Sequence, residues 1–126
     1  EMGHSDRFVI ADGNFPVMSM GKNAQIIRMD GHGVPEILDA ILRVFPLDTY
    51  IEKPVNLMEV MPGDDVQTPI WDVYKKTVEK YDERGKNAIG EIERFKFYEE
   101  TKTAYAVIAT SEKALYANIM LQKGVV

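Results

Sequence analysis

Between Asp30 and Pro46 the hydrophobic period of the chain changes, and no other stretch narrows the fold as far. Before it, "FVIAD" (Phe8–Asp12) is a short apolar run that reads as a buried strand, and "QIIRMD" (Gln25–Asp30) is a second strand candidate. After the break "GHG", apolar residues fall at Val34, Ile37, Leu38, Ile41, Leu42 and Phe45, the spacing of one helical face. Pro35 is tolerated in the first turn of such a helix, and Pro46 ends it. A chain that passes from short apolar runs to a helical stripe and back must layer helices on a sheet.

The switch recurs downstream. Pro54–Met61 reads as a third strand and "PGDD" as a turn. Pro69–Tyr81 predicts a second helix, with Ile70, Tyr74, Val78 and Tyr81 on one face and Trp71 beside them as core. Ala88–Glu93 is a fourth strand, "RFKFYEETK" fits either helix or extended chain, "AYAVIAT" (104–110) is the clearest strand, and Ala117–Gln122 is the last. The segment "GNFPVMSMGKN", with two glycines and a proline, reads as loop. The order β, β, α, β, α, β, (α), β, β predicts an α/β layered fold with a largely parallel or mixed sheet. Its 126 residues suit one domain able to bury a core without disulfides or metals.

Composition removes several function classes. There are no cysteines, which excludes disulfides, thiolate metal sites and cysteine nucleophiles and agrees with a reducing cytosol. The formal net charge is −5 and the basic residues are interleaved with acids, which argues against a nucleic-acid partner. No apolar run approaches the roughly 18 residues of a membrane span, and no signal peptide is visible, so a cytoplasmic location is expected. Neither G-x-G-x-x-G, G-x-x-x-x-G-K, G-x-S-x-G nor H-E-x-x-H occurs.

Several residues could carry chemistry. His4 lies in a turn before the first strand, and a histidine can give or take a proton near neutral pH; a solvated turn histidine reads the same way. Asp12 ends a strand, where it is either a turn residue or a carboxylate that grips hydroxyls. His4, Asp6 and Asp12 are too commonplace a group to make a metal site. Arg94 opens "RFKFYEE", either as a surface arginine or as a planar donor over a polar ligand walled by the aromatics at 95, 97 and 98. Tyr116 and Asn118 alternate, so in a strand they share a face. His32, between two glycines, gains no support from its neighbours. These residues alone stop at an α/β domain with a site for a small polar substrate.

Four segments, "EMGHSDRFVIADGNFP", "IRMDGHGVPEILDAILRVFPLDTY", "QTPIWDVY" and "IERFKFYEETKTAYAVIATSEKALYANIMLQKGV", resemble the L-fucose mutarotase family, a branch of the wider group that includes D-ribose pyranase. The G-H-x-D spacing, the strand ending in Asp and Y-A-N-I-x-L-x-x-G-V are shared with the wider group. "NFP", "R-x-D-G", "LDTY" and "ERFxFYE" resemble the fucose branch. The resemblance implies a three-layer α/β/α fold over residues 1–126, preceded by an N-terminal segment, and an isomerase that interconverts the α and β anomers of L-fucose without metal or other cofactor. It implies His4 as the catalytic histidine, Asp12 and Arg94 as sugar contacts, and Tyr116, Ala117 and Asn118 as a binding segment. Tyr116 is either a second proton carrier or a hydroxyl holder. The resemblance further implies homo-oligomeric rings, often decamers of two pentamers, with sites near subunit boundaries. Pyranose–furanose exchange on D-ribose and a sugar-binding module without turnover are the competing readings. A glycosidase would need a pair of flanking carboxylates, which Asp6 and Asp12 do not supply.

Overall fold

The computed structural model describes residues 2–126. Its six-stranded sheet comprises β1 (Arg7–Ala11), β2 (Gln25–Met29), β3 (Val55–Met58), β4 (Ile89–Ile92), β5 (Ala106–Thr110) and β6 (Ile119–Gln122), in the spatial order β2-β5-β1-β6-β3-β4. The pairs β1/β5, β2/β5 and β3/β4 are parallel, while β6 runs antiparallel to both its neighbours, β1 and β3. The mixed sheet and the helices on its faces realise the expected α/β class.

Strand alternation divides the core into two layers. Phe8 and Ile10 point to one face, where they join Ile37 and Leu38 of α2 (Val34–Leu42) and Tyr74 and Val78 of α3 (Pro69–Tyr81). Val9 and Ala11 point to the other, with Val107, Met120 and Phe97 of α4 (Arg94–Thr101), while Val17 and Met20 of α1 (Val17–Met20) pack at its margin.

The departures from expectation have local causes. The loop over residues 13–23 contains α1, a single turn with Pro16 before it and Gly21 after it and no buried residue, so no apolar stripe announces it. The ambiguous segment is the helix α4; only Phe97 and Thr101 are buried, and a single i, i+4 pair is too little periodicity to read. Its start is fixed by Glu93, which accepts a hydrogen bond from the Lys96 N–H at 3.0 Å. Helix α2 stops at Leu42 rather than at Phe45, consistent with the strain of αR backbone just before Pro46. The last strand begins at Ile119, so Tyr116, Ala117 and Asn118 precede it; Tyr116 has φ +53° and cannot belong to a strand.

Candidate functional site

The parallel strands β1, β3 and β4 end along one edge of the sheet, and the antiparallel β6 begins there. A cavity of about 340 Å³ opens at that edge, lined by Asp12, Asn14, Phe15, Met58, Asp64, Val66, Arg94, Tyr98, Leu115, Tyr116 and Asn118. Carboxyl ends of strands in open α/β sheets are where ligands bind, because the loops there are free of pairing duties. The volume suits a monosaccharide.

Asp12 and Asn118 knit the floor together. The Asp12 N–H donates to Asn118 Oδ1 at 2.7 Å, and the Asp12 carboxylate accepts from the Asn14 N–H at 3.0 Å and the Ala117 N–H at 3.3 Å. Burial pushes the Asp12 carboxyl above the ordinary aspartate value, the backbone donors pull against it, and the negative Glu112 adds to the rise. Ala117 is not among the residues lining the cavity; its backbone N–H donates to Asp12 and its carbonyl accepts from the buried Tyr74 hydroxyl at 2.6 Å.

Tyr116 stands at the centre of the site. Its left-handed backbone is anchored by the Trp71 Nε1–H, which donates to the Tyr116 carbonyl at 2.8 Å. The phenol donates to Asp64 and accepts from the Met61 N–H and from Arg94 Nη2, each at 3.3 Å. The Arg94 guanidinium also lies 5.9 Å from the ring centroid. The buried Arg94 Nε has no hydrogen-bond partner. A buried unpaired donor costs free energy, and a bound oxygen would relieve it. Of the three aromatics near Arg94, only Tyr98 reaches the cavity; Phe97 is fully buried and Phe95 is exposed.

His4 is elsewhere. It precedes β1 whereas Asp12 follows it, and five strand residues span roughly 16 Å. Its Nε2 lies 3.3 Å from both carboxylate oxygens of Asp48, and its ring meets Tyr50 edge-on at 5.0 Å between centroids. Asp48 also accepts from Gln122 Nε2 and from the Tyr50 N–H, both at 2.9 Å. Burial alone would raise the Asp48 carboxyl, but the donors from Tyr50, Gln122 and His4 outweigh it and hold the group below the ordinary value. Residues 46–48 run against the end of β6, through Asp48 N–H to Gln122 O at 3.0 Å and Gly124 N–H to Pro46 O at 2.8 Å. Gly124 is required there, since a Cβ would lie 2.6 Å from the Leu47 carbonyl oxygen. Arg84 completes the support by donating to the Asp48 and Ile51 carbonyls, each at 3.1 Å.

One chain therefore brings Asp12, Arg94, Tyr116 and Asn118 into a single cavity and leaves His4 beside Asp48 at the opposite end of the strands. His32 pairs with Glu36 on the surface at 3.0 Å. Asp6 accepts from the Gly3 N–H at 2.8 Å, and no group of three His, Cys, Asp or Glu side chains gathers in metal-binding range among the described residues. Asp48, Asp64 and Trp71 are the residues a reading of the sequence passes over as functional. Asp48 sits in "LDTY" and Asp64 in "PGDD", where no periodicity assigns a direction. The Trp71 indole was expected in the core, and its N–H is what reaches Tyr116.

Opposed hydroxyl donors and acceptors, one cation, and an apolar wall of Phe15, Met58 and Val66 fit a small polyhydroxylated ligand. Fold and cavity together define an α/β protein with a site for such a ligand at its strand ends. The chain belongs to the RbsD / FucU transport protein family, which matches over residues 1–126. It is 46% identical to the fucose mutarotase of Homo sapiens over 128 residues, covering 98% of this chain and 82% of that one. Its fold superimposes on the crystal structure of FucU from Bifidobacterium longum with a TM-score of 0.98 at 66% identity, covering 100% of this chain and 89% of that one. The fucose mutarotase of Streptococcus pneumoniae, solved in complex with L-fucose, gives a TM-score of 0.93 at 44% identity, covering 100% of this chain and 87% of that one.

Proposed function

We propose that the protein is a mutarotase that interconverts the α and β anomers of L-fucose. The observation that carries this reading is the convergence of Asp12, Arg94, Tyr116 and Asn118, from three separate segments, on one monosaccharide-sized cavity. Relatives that bear the name fucose mutarotase support the sugar. So does the apolar wall, which offers the C6 methyl of a 6-deoxyhexose a contact that D-ribose lacks.

Mutarotation breaks the C1–O5 bond of the ring, forms the open aldehyde, and recloses on the other carbonyl face. A proton must leave the anomeric hydroxyl and another must reach the ring oxygen. Each positioned proton carrier contributes about 10²–10⁴-fold. His4 is one carrier in this reading, held to its task by Asp48, and Tyr116 stands at the other side of the sugar. Asp12 and Arg94 fix the remote hydroxyls by charge-assisted hydrogen bonds and leave C1 free to turn.

Because His4 lies a strand's length from the cavity, it serves the cavity of a second copy, and the working unit is a homo-oligomer with sites at subunit boundaries. Exposed apolar side chains at both ends support this: Tyr50 beside His4, and Phe95 and Leu115 beside the cavity. Anomer-exchange NMR at equilibrium tests the activity, with L-fucose and D-ribose compared at equal protein concentration. The expected result is faster exchange with L-fucose than with D-ribose. Saturable fucose binding with exchange no faster than in buffer would make the protein a binding module instead.

A further inference from the structure

Asp64 has no part in the reading so far, yet it receives the proton of the central phenol. It sits in the exposed loop between β3 and α3, in a turn closed by its own N–H to the Met61 carbonyl at 3.0 Å, with Gly63 at φ +86° supplying the bend. The same turn sends the Met61 N–H back to the phenol oxygen, which also receives Arg94 Nη2, each at 3.3 Å. Two donors, one of them cationic, therefore point at an oxygen whose own hydrogen points at a carboxylate. That arrangement aims the phenol proton at an acceptor while two donors hold the oxygen in place, so the hydroxyl has somewhere to send its proton. A residue needed only to hold a sugar hydroxyl requires neither.

We propose that Asp64 is a positioning residue for catalysis that makes Tyr116 a proton relay. This rests on the mutarotase reading and deepens it. In ring opening, the proton on the anomeric oxygen passes to the Tyr116 oxygen while the phenol proton passes to Asp64. The C1–O5 bond breaks, C1=O1 forms, and the ring oxygen takes a proton from the carrier on the opposite side. Reclosure on the other face runs the transfers backwards, so the protein ends with the protons it began with. The relay also accounts for the two-way choice left by Tyr116: it is a carrier, and Asp64 is the reason.

Asp64→Asn separates the relay from a structural tether. The amide oxygen still accepts from the phenol and the side chain is exposed, so the loop and the fold persist, but an amide cannot take up the proton. The expected result is a fall of about a hundredfold in L-fucose exchange, the low end of what a positioned proton carrier contributes. Fucose Kd and the unfolding midpoint remain those of the unmodified protein. Asp64→Glu recovers most of the rate, and the neighbouring Asp65→Asn leaves it untouched. Tyr116→Phe loses as much, and combining it with Asp64→Asn loses no more. Retained exchange in Asp64→Asn overturns the relay, as does a rate loss matched by an equal loss of fucose affinity, which would make Asp64 a sugar ligand. The unmodified protein in the same experiment keeps the two levels apart: if it gives no acceleration, the mutarotase reading itself fails and the relay with it.

Discussion

Asp12 and Asp48 are both shielded from solvent, 6% and 2% exposed, at opposite ends of the same pair of strands, but Asp12 lies under more of the protein. Burial raises both carboxyls, yet Asp12 finishes above the ordinary value and Asp48 below it. The difference lies in how deeply each is buried and in the company each keeps. Asp48 collects two side-chain donors and a backbone N–H, one donor a histidine that can carry positive charge. Asp12 collects backbone N–H groups only and faces the negative Glu112. Depth of burial and donors together thus set the sign. The two ends of the sheet are correspondingly built for different work. The Asp48 end holds an imidazole in place through a well-donated carboxylate, and the Asp12 end presents a carboxyl whose ionisation burial disfavours.

The largest expected effect separates these jobs. If His4 is the proton carrier proposed above, His4→Ala lowers L-fucose exchange by about 10²–10⁴-fold and leaves fucose Kd within a few-fold, as expected of a group that moves a proton without holding the sugar. Asp12→Ala does the reverse, weakening affinity first. On the proposed shared site, chains carrying His4→Ala and chains carrying Tyr116→Phe, unfolded together and refolded as a mixture, regain exchange that neither has alone, because one copy's intact His4 would then meet another's intact Tyr116. Equal losses of affinity in His4→Ala and Asp12→Ala, or no recovery on mixing, would break the division.

The second effect is on stability and tests the opposite acidities directly. A carboxyl that ionises more readily when folded adds stability above its unfolded value, about 3.9, and loses it as pH falls through that value and on through the lower folded one. Asp48 is of this kind. Asp48→Asn turns an amide N–H toward donors and costs about 2 kcal/mol at pH 7, and the loss shrinks in acid. Asp12 runs the other way. Its contribution is greatest when it is protonated and declines as pH rises from about 3.9 to its raised folded value. Asp12→Asn therefore costs about 1 kcal/mol or less at pH 7, since it removes a carboxyl whose ionised form is disfavoured by burial. Urea unfolding between pH 3 and 7 reads both curves, and parallel curves for the two variants would refute the contrast.

How far the sequence reveals this design varies along the chain. Helix α3 and the strands β1 and β5 announce themselves by period, because each buries one face or both, while the edge strand β2 shows only an apolar run that stays half-buried or exposed. Helix α4 does not, with only Phe97 and Thr101 buried. Tyr116 and Asn118 were expected to share a side because strand residues alternate. They do share a cavity, but through a left-handed turn that no alternation encodes. The grouping of Asp12, Arg94 and the Tyr116–Asn118 segment came from family resemblance, since residues from three segments meet only after the sheet has formed. Asp48 and Asp64 lie in turns whose composition says only that the chain bends there. Their partners, His4 and Tyr116, were legible, but the carboxylates opposite them depend on how β6 and the β3–α3 loop dock.

The smallest effect concerns the outer wall of the Asp48 end. Tyr50 is 73% exposed, so its ring contributes little to the core, and its unfolding cost on removal is small. Its edge-on contact with His4 nevertheless limits the directions the imidazole can face. Aromatic pairs of this geometry contribute about 0.5–1.5 kcal/mol, so Tyr50→Ala should slow exchange by about two- to tenfold. Tyr50→Phe keeps the ring edge and should keep the rate. No comparable partner exists for Asp12, whose orientation is fixed by backbone N–H groups that substitution cannot remove. A single aromatic truncation thus loosens the proton-carrying end and has no counterpart at the sugar-holding end. If Tyr50→Ala changed fucose Kd as much as it changed the exchange rate, His4 would be gripping the sugar as well as moving its proton, and the two ends would no longer divide the work.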